Sequence, residues 1–281
     1  MKSNTTVIIP CYNDGKYIVE ALNSIRNQTL KAEKIIIIDD GSDNETKTIL
    51  KNIKAENVEV VCQENKGVCV ARNLGVDLAK TDYILNLDAD DYFEPTFLEK
   101  AVNVLNNNSH IGVVGCYYKI LNNDRLNLNI VKPIGGTVKN LLANNNAMNC
   151  SLYRKICWSK VSGYDENMKD GYEDWDFWMS ILKHNWDMHI LKEPLFVYRI
   201  KKNSRDIVAF KEHHMKLKLY LFEKHKQVYL DNFESYFNQV TYINYKLKLK
   251  NLESTNTKVS KIGNTILAPL KFLKMKINTF K

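Results

Sequence analysis

An alternation constrains this chain more than any other feature. From residue 5 to about residue 118, short apolar runs are separated by stretches of helical periodicity. The sharpest run is Lys34–Asp39 (KIIIID), whose consecutive isoleucines leave no polar face. A strand of that composition has to be covered on both sides, as in a parallel sheet. Thr5–Pro10, Val58–Cys62, Tyr83–Leu87 and Ile111–Tyr118 read as companion strands. Asp14–Gln28, Asp43–Lys54, Val68–Ala79 and Pro95–Leu105 read as helices between them. Ile18, Leu22 and Ile25 share one face of the first helix, Ser42 or Asp43 caps the second, and Pro95 lies near the start of the last. Strands joined through helices of about 10–15 residues predict right-handed crossovers. The expected class is α/β: a Rossmann-like, mostly parallel sheet flanked by helices, with a C-terminal helical extension.

Ligands on such sheets bind beyond the carboxyl ends of the strands. Those ends read Cys11-Tyr12-Asn13, Asp39-Asp40-Gly41-Ser42, Glu64-Asn65-Lys66-Gly67 and Asp88-Ala89-Asp90-Asp91. All are polar and two are acidic. In extended geometry Asp88 and Asp90 point to one side, where two carboxylates repel unless a cation lies between them. A hard divalent ion, Mn²⁺ or Mg²⁺, fits that need, and such ions keep few protein carboxylates beside phosphate oxygens. Asp40 can accept a hydrogen bond from a base or ribose, while Gly41 permits a tight turn and Ser42 can cap the next helix. Asn65 and Gly67 open the helix bearing Arg72, a residue suited to a phosphate or a base. Neither GxGxxG nor GxxxxGK[ST] occurs, which speaks against dinucleotide and P-loop sites.

A second acidic cluster, Gly171-Tyr172-Glu173-Asp174-Trp175-Asp176, lies at the start of a helix expected over Tyr172–His184. Carboxylates beside aromatic rings suit a general base next to a sugar. Burial raises such a carboxyl and a helix N-terminus lowers it. The alternative has Trp175 and Trp178 in the core and the acids as cap residues. Residues 119–170 are Asn-rich and read as irregular, and Leu195–Ile200 reads as a strand.

The 281 residues are 44% hydrophobic and carry a net charge of +8, enough apolar content for one large core with an appendage. Six cysteines are scattered without a CxxC pair, against a zinc site or disulfide framework. No apolar stretch reaches about 18 residues and no signal peptide is evident, so a cytoplasmic location is expected. Residues 206–281 hold 14 lysines and 6 acids, leaving 26 charges of each sign in residues 1–205. The domains expected are therefore 1–205, catalytic, and 206–281, a basic helical extension. Apolar residues from Val259 to Phe280 recur every three or four positions among lysines, an amphipathic pattern interrupted at Pro269. That pattern fits attachment to the anionic inner face of the plasma membrane through residues 254–281, or packing on the chain itself or on a second copy in a homodimer. Nothing resembles a nucleic-acid recognition module.

Five segments in order, VIIPCYN, IIIIDDGSDNET, NKGVCVARNLG, LNLDADDYFEP and GYEDWDFWM, resemble family 2 glycosyltransferases of the GT-A fold over roughly residues 5–205. The resemblance implies an inverting transfer from a nucleotide sugar, most often a UDP-sugar, to a hydroxyl of a glycan or lipid-linked acceptor in polysaccharide or glycoconjugate synthesis. It implies that Pro10, Tyr12 and Asn13 line the nucleotide pocket with Asn65 and Gly67, and that Asp40 contacts the base. Arg72 would lie near the base or diphosphate, Asp88 near the ribose, and Asp90 on the metal. Asp174 is the expected base, with Glu173 the alternative, and Tyr172 and Trp175 would face the acceptor. Relatives often carry Tyr-Arg-x-His on the later strand, whereas this chain has Tyr198-Arg199-Ile200-Lys201. Protonated Lys201 can neutralise phosphate but cannot ligate a metal. A nucleotidyltransferase would carry a Gly-rich basic loop after the first strand, which is missing here; an inactive nucleotide-sugar-binding scaffold is the non-enzymatic alternative.

Overall fold

Strand β2 (Lys31–Asp40) is buried continuously from Ile35 to Asp40, because it lies between β1 (Lys2–Cys11) and β3 (Val58–Gln63), parallel to both. The structure is a computed structural model that describes residues 2–122, 125–201 and 204–253. On the other side of β1 runs β4 (Tyr83–Asn86), also parallel. Between these strands stand α1 (Gly15–Arg26), α2 (Asn44–Lys51) and α3 (Val68–Leu78). Helix α1 buries Ile18, Leu22 and Ile25 as its spacing requires. Helix α2 is capped by Asp43, whose carboxylate accepts the Thr46 N–H at 2.8 Å. Ser42 serves elsewhere, accepting the Asn13 N–H at 3.1 Å.

The sheet continues β4-β8-β6-β9-β5. Strand β5 is Tyr92–Phe93, helix α4 is Phe97–Asn107, and strands β6 and β7 are Ile111–Asn122 and Arg125–Val131. The stretch read as irregular contains a 3₁₀ turn at Val138–Leu141, strand β8 (Leu152–Arg154) and helix α5 (Lys155–Val161). Strand β8 is antiparallel to both β4 and β6 and wedges between them, so β6 keeps the expected direction but is separated from β4 in the strand order. Strand β9 (Asp187–Ile200) begins well before Leu195, pairs parallel with β6 across register shifts, and holds β5 on its far edge. The core combines Val7, Ile9, Ile35, Ile37 and Leu85 with Phe97, Val114 and Phe196.

Helix α6 (Glu173–Leu182) is almost wholly buried. Helices α7 (Arg205–Val208), α8 (His214–Lys224) and α9 (Lys226–Asp231), with a π turn at Ala209–His213, follow. His225, fully buried, bonds Asp176 of α6 at 2.8 Å, and Lys224 bonds the same carboxylate at 2.8 Å. These contacts tie α8 and α9 to α6, and the first compact unit runs from residue 1 to Asp231; the division expected near residue 205 falls inside it. The second unit, 232–281, is described only over a helix at 233–253. The amphipathic tail read at 254–281 lies outside the described residues. Among those described, no helix is long and apolar enough to cross a membrane.

Candidate active site

The C-terminal ends of β1, β2 and β4, the start of α3 and the start of α6 border one cavity of about 710 Å³. Pro10, Tyr12, Asp40, Asn65, Gly67, Arg72, Asp88, Asp90, Glu173, Asp174 and Lys201 all line it. Asn13, Tyr172 and Trp175 do not appear in its wall. Asn13 instead adopts a positive φ of 58° and accepts the Asp43 N–H at 2.7 Å, holding the β1 end to the start of α2. Trp175 is buried, with its indole N–H on the Leu141 carbonyl at 2.7 Å. The Tyr172 hydroxyl shares a hydrogen bond with His214 at 2.6 Å. The tertiary setting of α6 turns these two rings toward α8 and the 3₁₀ turn.

Asp40 is buried and organises the wall. It accepts the Gln63 side-chain N–H at 2.7 Å and the Lys66 and Gly67 backbone N–H groups at 2.8 and 2.9 Å. Tyr12, 51% exposed, presents an open ring at the same rim. Arg72 is 2% exposed and is clasped by two acids, Asp88 at 2.7 Å and Glu173 at 2.8 Å. Arg205 reaches Glu173 from the other side. Just before Glu173, Gly171 at φ 124° leaves room for Ala209, whose Cβ would lie 2.7 Å from an added side chain.

The neighbouring acids of α6 consequently differ. Burial alone would lift Glu173, but Arg205 and Arg72 overturn it and hold the carboxyl down at about 2. Burial raises Asp174, the negative charges of Glu173 and Asp206 add to it, and the carboxyl reaches about 7 against the pull of an Asn145 hydrogen bond. Asn145 donates to Asp174 Oδ2 at 2.8 Å.

On the opposite wall Lys201 places its ammonium 2.7 Å from Asp14 and 2.8 Å from Asp90. Burial disfavours that charge, but the two carboxylates more than reverse the effect and keep the lysine protonated. Arg199 fastens the end of β9 to the acidic turn, donating its backbone N–H to Asp91 at 2.7 Å and its Nε–H to the Asp90 carbonyl at 2.9 Å. Asp14, Asp91, Asn145, Asn149, Arg199 and Arg205 were not singled out from the sequence. Of these, Asp91 in the acidic strand end and Arg199 in the Tyr-Arg-x-Lys stretch carry a local signal.

Among the described residues, ligand atoms of Asp88, Asp91 and Cys150 lie within 4.8 Å of one another, a spacing one metal ion can span. The chemistry of that set fits a hard divalent ion poorly. Asp88 is occupied by Arg72 and by Asn149 at 2.8 Å. The Cys150 thiol is pushed well up by burial and by Asp88 and Asp91, and a protonated sulfur is a weak partner for an oxygen-seeking cation. Asp90, the expected metal ligand, is bonded to an ammonium.

Residues 6–159 match the family described as Glycosyl transferase family 2. The chain is 31% identical over 198 residues to an uncharacterized glycosyltransferase of Rickettsia typhi, covering 65% of this chain and 61% of that one. It is 30% identical over 192 residues to the chondroitin synthase of Escherichia coli, covering 66% of this chain and 28% of that one. Both relatives are therefore substantially longer than the part this chain spans. The crystal structure of S. aureus TarS 1-349 in complex with UDP-GlcNAc superposes with a TM-score of 0.60 at 22% identity, over 73% of this chain and 60% of that chain. With an α/β sheet of this order and a family match across more than half its length, the chain belongs to glycosyl transferase family 2 and has the GT-A fold.

Proposed function

We propose that the chain transfers a sugar, with inversion, from a UDP-sugar to a hydroxyl of a glycan or lipid-linked acceptor, and that Asp174 is the base. The observation that carries this reading is a carboxyl near neutrality facing the same cavity as the Asp88-Ala89-Asp90 turn. A base with a pKa close to the working pH holds its proton-accepting form while still driving proton transfer. Glu173, held by two arginines, has no such freedom.

In this reading the open Tyr12 ring stacks on the base, and Asp40 sets the Asn65–Gly67 loop that borders it. The acceptor oxygen attacks the anomeric carbon from the face opposite the diphosphate. A new carbon–oxygen bond forms as the bond to the diphosphate breaks, the electron pair leaves with the diphosphate, and the acceptor proton passes to Asp174. One displacement without a covalent intermediate inverts the centre. The TarS structures with UDP and UDP-GlcNAc support a uridine donor for this fold, and the chondroitin synthase relative supports a glycan acceptor. The Mn²⁺ or Mg²⁺ that the resemblance implies enters no step, because Asp90 is held by Lys201.

Residues 254–281, lysine-bearing and without an acid, would hold the enzyme peripherally at the anionic inner face of the plasma membrane. A donor screen tests the central claim: UDP-sugars should raise the melting temperature and be consumed with release of UDP when a polysaccharide-fragment acceptor is added. A chain stabilised by UDP-sugars that never releases UDP would be a binding scaffold, and one indifferent to every UDP-, GDP- and dTDP-sugar would end the proposal.

A further inference from the structure

The Lys201 ammonium occupies the space between Asp14 and Asp90 at 2.7 and 2.8 Å. It is delivered there by a braced element. Lys201 directly follows β9, whose last residues are pinned to the acidic turn by the Arg199 backbone and guanidinium. The Arg199 guanidinium lies 4.7 Å from the centre of the Tyr17 ring and the Lys201 ammonium 5.7 Å from it, so α1 supports both cations from below. The lysine side chain is 35% exposed toward the cavity, leaving part of the ammonium available to a ligand.

Four acids of this cavity are paired with protein cations. Arg72 serves Asp88 and Glu173, Arg205 serves Glu173, and Lys201 serves Asp14 and Asp90. A divalent ion seeking Asp90 would have to displace a like-charged group already bonded there. A lysine is meanwhile an able phosphate partner, a compact charge with several donors on a flexible stem.

We propose that Lys201 itself supplies the cation for the donor diphosphate, so that nucleoside diphosphate binding and sugar transfer proceed without a divalent metal ion. This rests on the nucleotide-sugar reading given above. With the ammonium on the leaving diphosphate, negative charge arriving there as the anomeric bond breaks is met by a fixed positive group. Asp14 and Asp90 hold that group in place rather than ligating a metal.

Calorimetric titration of the full chain with UDP, once in EDTA and once in Mn²⁺, separates the possibilities without relying on turnover. The wild type is expected to bind UDP with the same Kd, within about twofold, in both buffers. Lys201→Ala should bind roughly tenfold or more weakly in EDTA, the loss of one charge-assisted contact, and should recover in Mn²⁺ because it leaves Asp14 and Asp90 open to the ion. Lys201→Arg, which keeps the charge, should bind in EDTA and serves as the folding control, with circular dichroism checking both variants. Wild-type binding that appears only with Mn²⁺ overturns the metal-free assignment, and Lys201→Ala binding normally in EDTA overturns the role given to Lys201; both leave the UDP reading intact. Failure to bind UDP in either buffer strikes the UDP reading itself.

Discussion

Glu173 and Asp174 are consecutive residues in the first turn of α6 whose carboxyls meet opposite surroundings. Arg72 and Arg205 flank the first, whereas the second accepts from the Asn145 side chain at 2.8 Å and faces the negative charges of Glu173 and Asp206. Backbone direction alone separates them: at a helix start, neighbouring side chains project about 100° apart. One points into the buried arginines and the other toward the cavity.

Replacing the proposed base by its amide isolates this difference. Asp174→Asn should lower kcat by about 10²–10⁴-fold while UDP binding stays within a few-fold of wild type. The variant also carries a stability signature. A carboxyl raised to about 7 favours the folded state below its unfolded value and loses that contribution as pH rises through 7. Between pH 5 and 8 the amide should therefore gain on the wild type by about 1–2 kcal/mol, allowing for the part of Asp174 open to solvent. Thermal melts at the two pH values check this, and a difference that moves the other way would contradict a raised Asp174.

Glu173→Gln makes the complementary test. It leaves Arg72 and Arg205 without their shared acid, which should cost about 3–5 kcal/mol of stability near neutral pH. Glu173, held at about 2, contributes stability above its unfolded value that fades as pH falls toward 2. The variant should lose this part of the wild type's acid sensitivity, about 3 kcal/mol between pH 5 and 2. Removing the negative charge beside Asp174 should also shift the acidic limb of the kcat profile downward. A variant without transfer at any pH, yet folded and UDP-binding, would return the base to Glu173.

Asn145 gives an independent handle on the same proton. Its amide favours the charged form of Asp174, and a hydrogen bond to an ion is worth about 1.5–3 kcal/mol. Asn145→Ala should move the acidic limb up by roughly one pH unit, opposite to Glu173→Gln. A pH–rate series on the two variants reads both directions, and coincident limbs would remove Asp174 from the titration.

Much of this was legible in the sequence where a physical pattern was long enough to read. KIIIID announced a strand buried on both faces, and β2 is such a strand. The acidic turn after Leu87 and the Glu173-Asp174 pair were visible as acids at element ends, and they do meet at one cavity. What escaped was short or non-local. Strand β8 spans three residues, too few to show a period, so its place between β4 and β6 left no trace in an Asn-rich stretch. The early half of β9 is broken by Lys192-Glu193-Pro194, opposite the register shift at Cys116 and Tyr117, which hid its alternation. Trp175 carried an aromatic-plus-acid signal, but its ring faces the Leu141 carbonyl; spacing on a helix gives a side chain's direction only after the helix is docked. Asp14 and Lys201, separated by 187 positions, had nothing in sequence to join them.

The turn after β2 offers a last test, of the proposed nucleotide wall rather than of the proposed base. Gly41 sits at φ 74°, and a Cβ there would stand 2.7 Å from the backbone nitrogen of Asn65. An alanine would thus be strained twice, by its left-handed backbone and by contact with main chain that has no rotamer to yield. Relief requires the Asn65–Gly67 loop to withdraw, which stretches the bonds that bring the Lys66 and Gly67 N–H groups to Asp40 at 2.8 and 2.9 Å. Gly41→Ala should therefore cost about 2–4 kcal/mol of stability and weaken UDP binding by about tenfold. The position of Asp174 and the pH at which transfer falls off should stay as they are, because neither depends on that loop. A Gly41→Ala chain that melts and binds UDP like the wild type would mean that the loop tolerates displacement and that Asp40 does not shape the donor pocket through it.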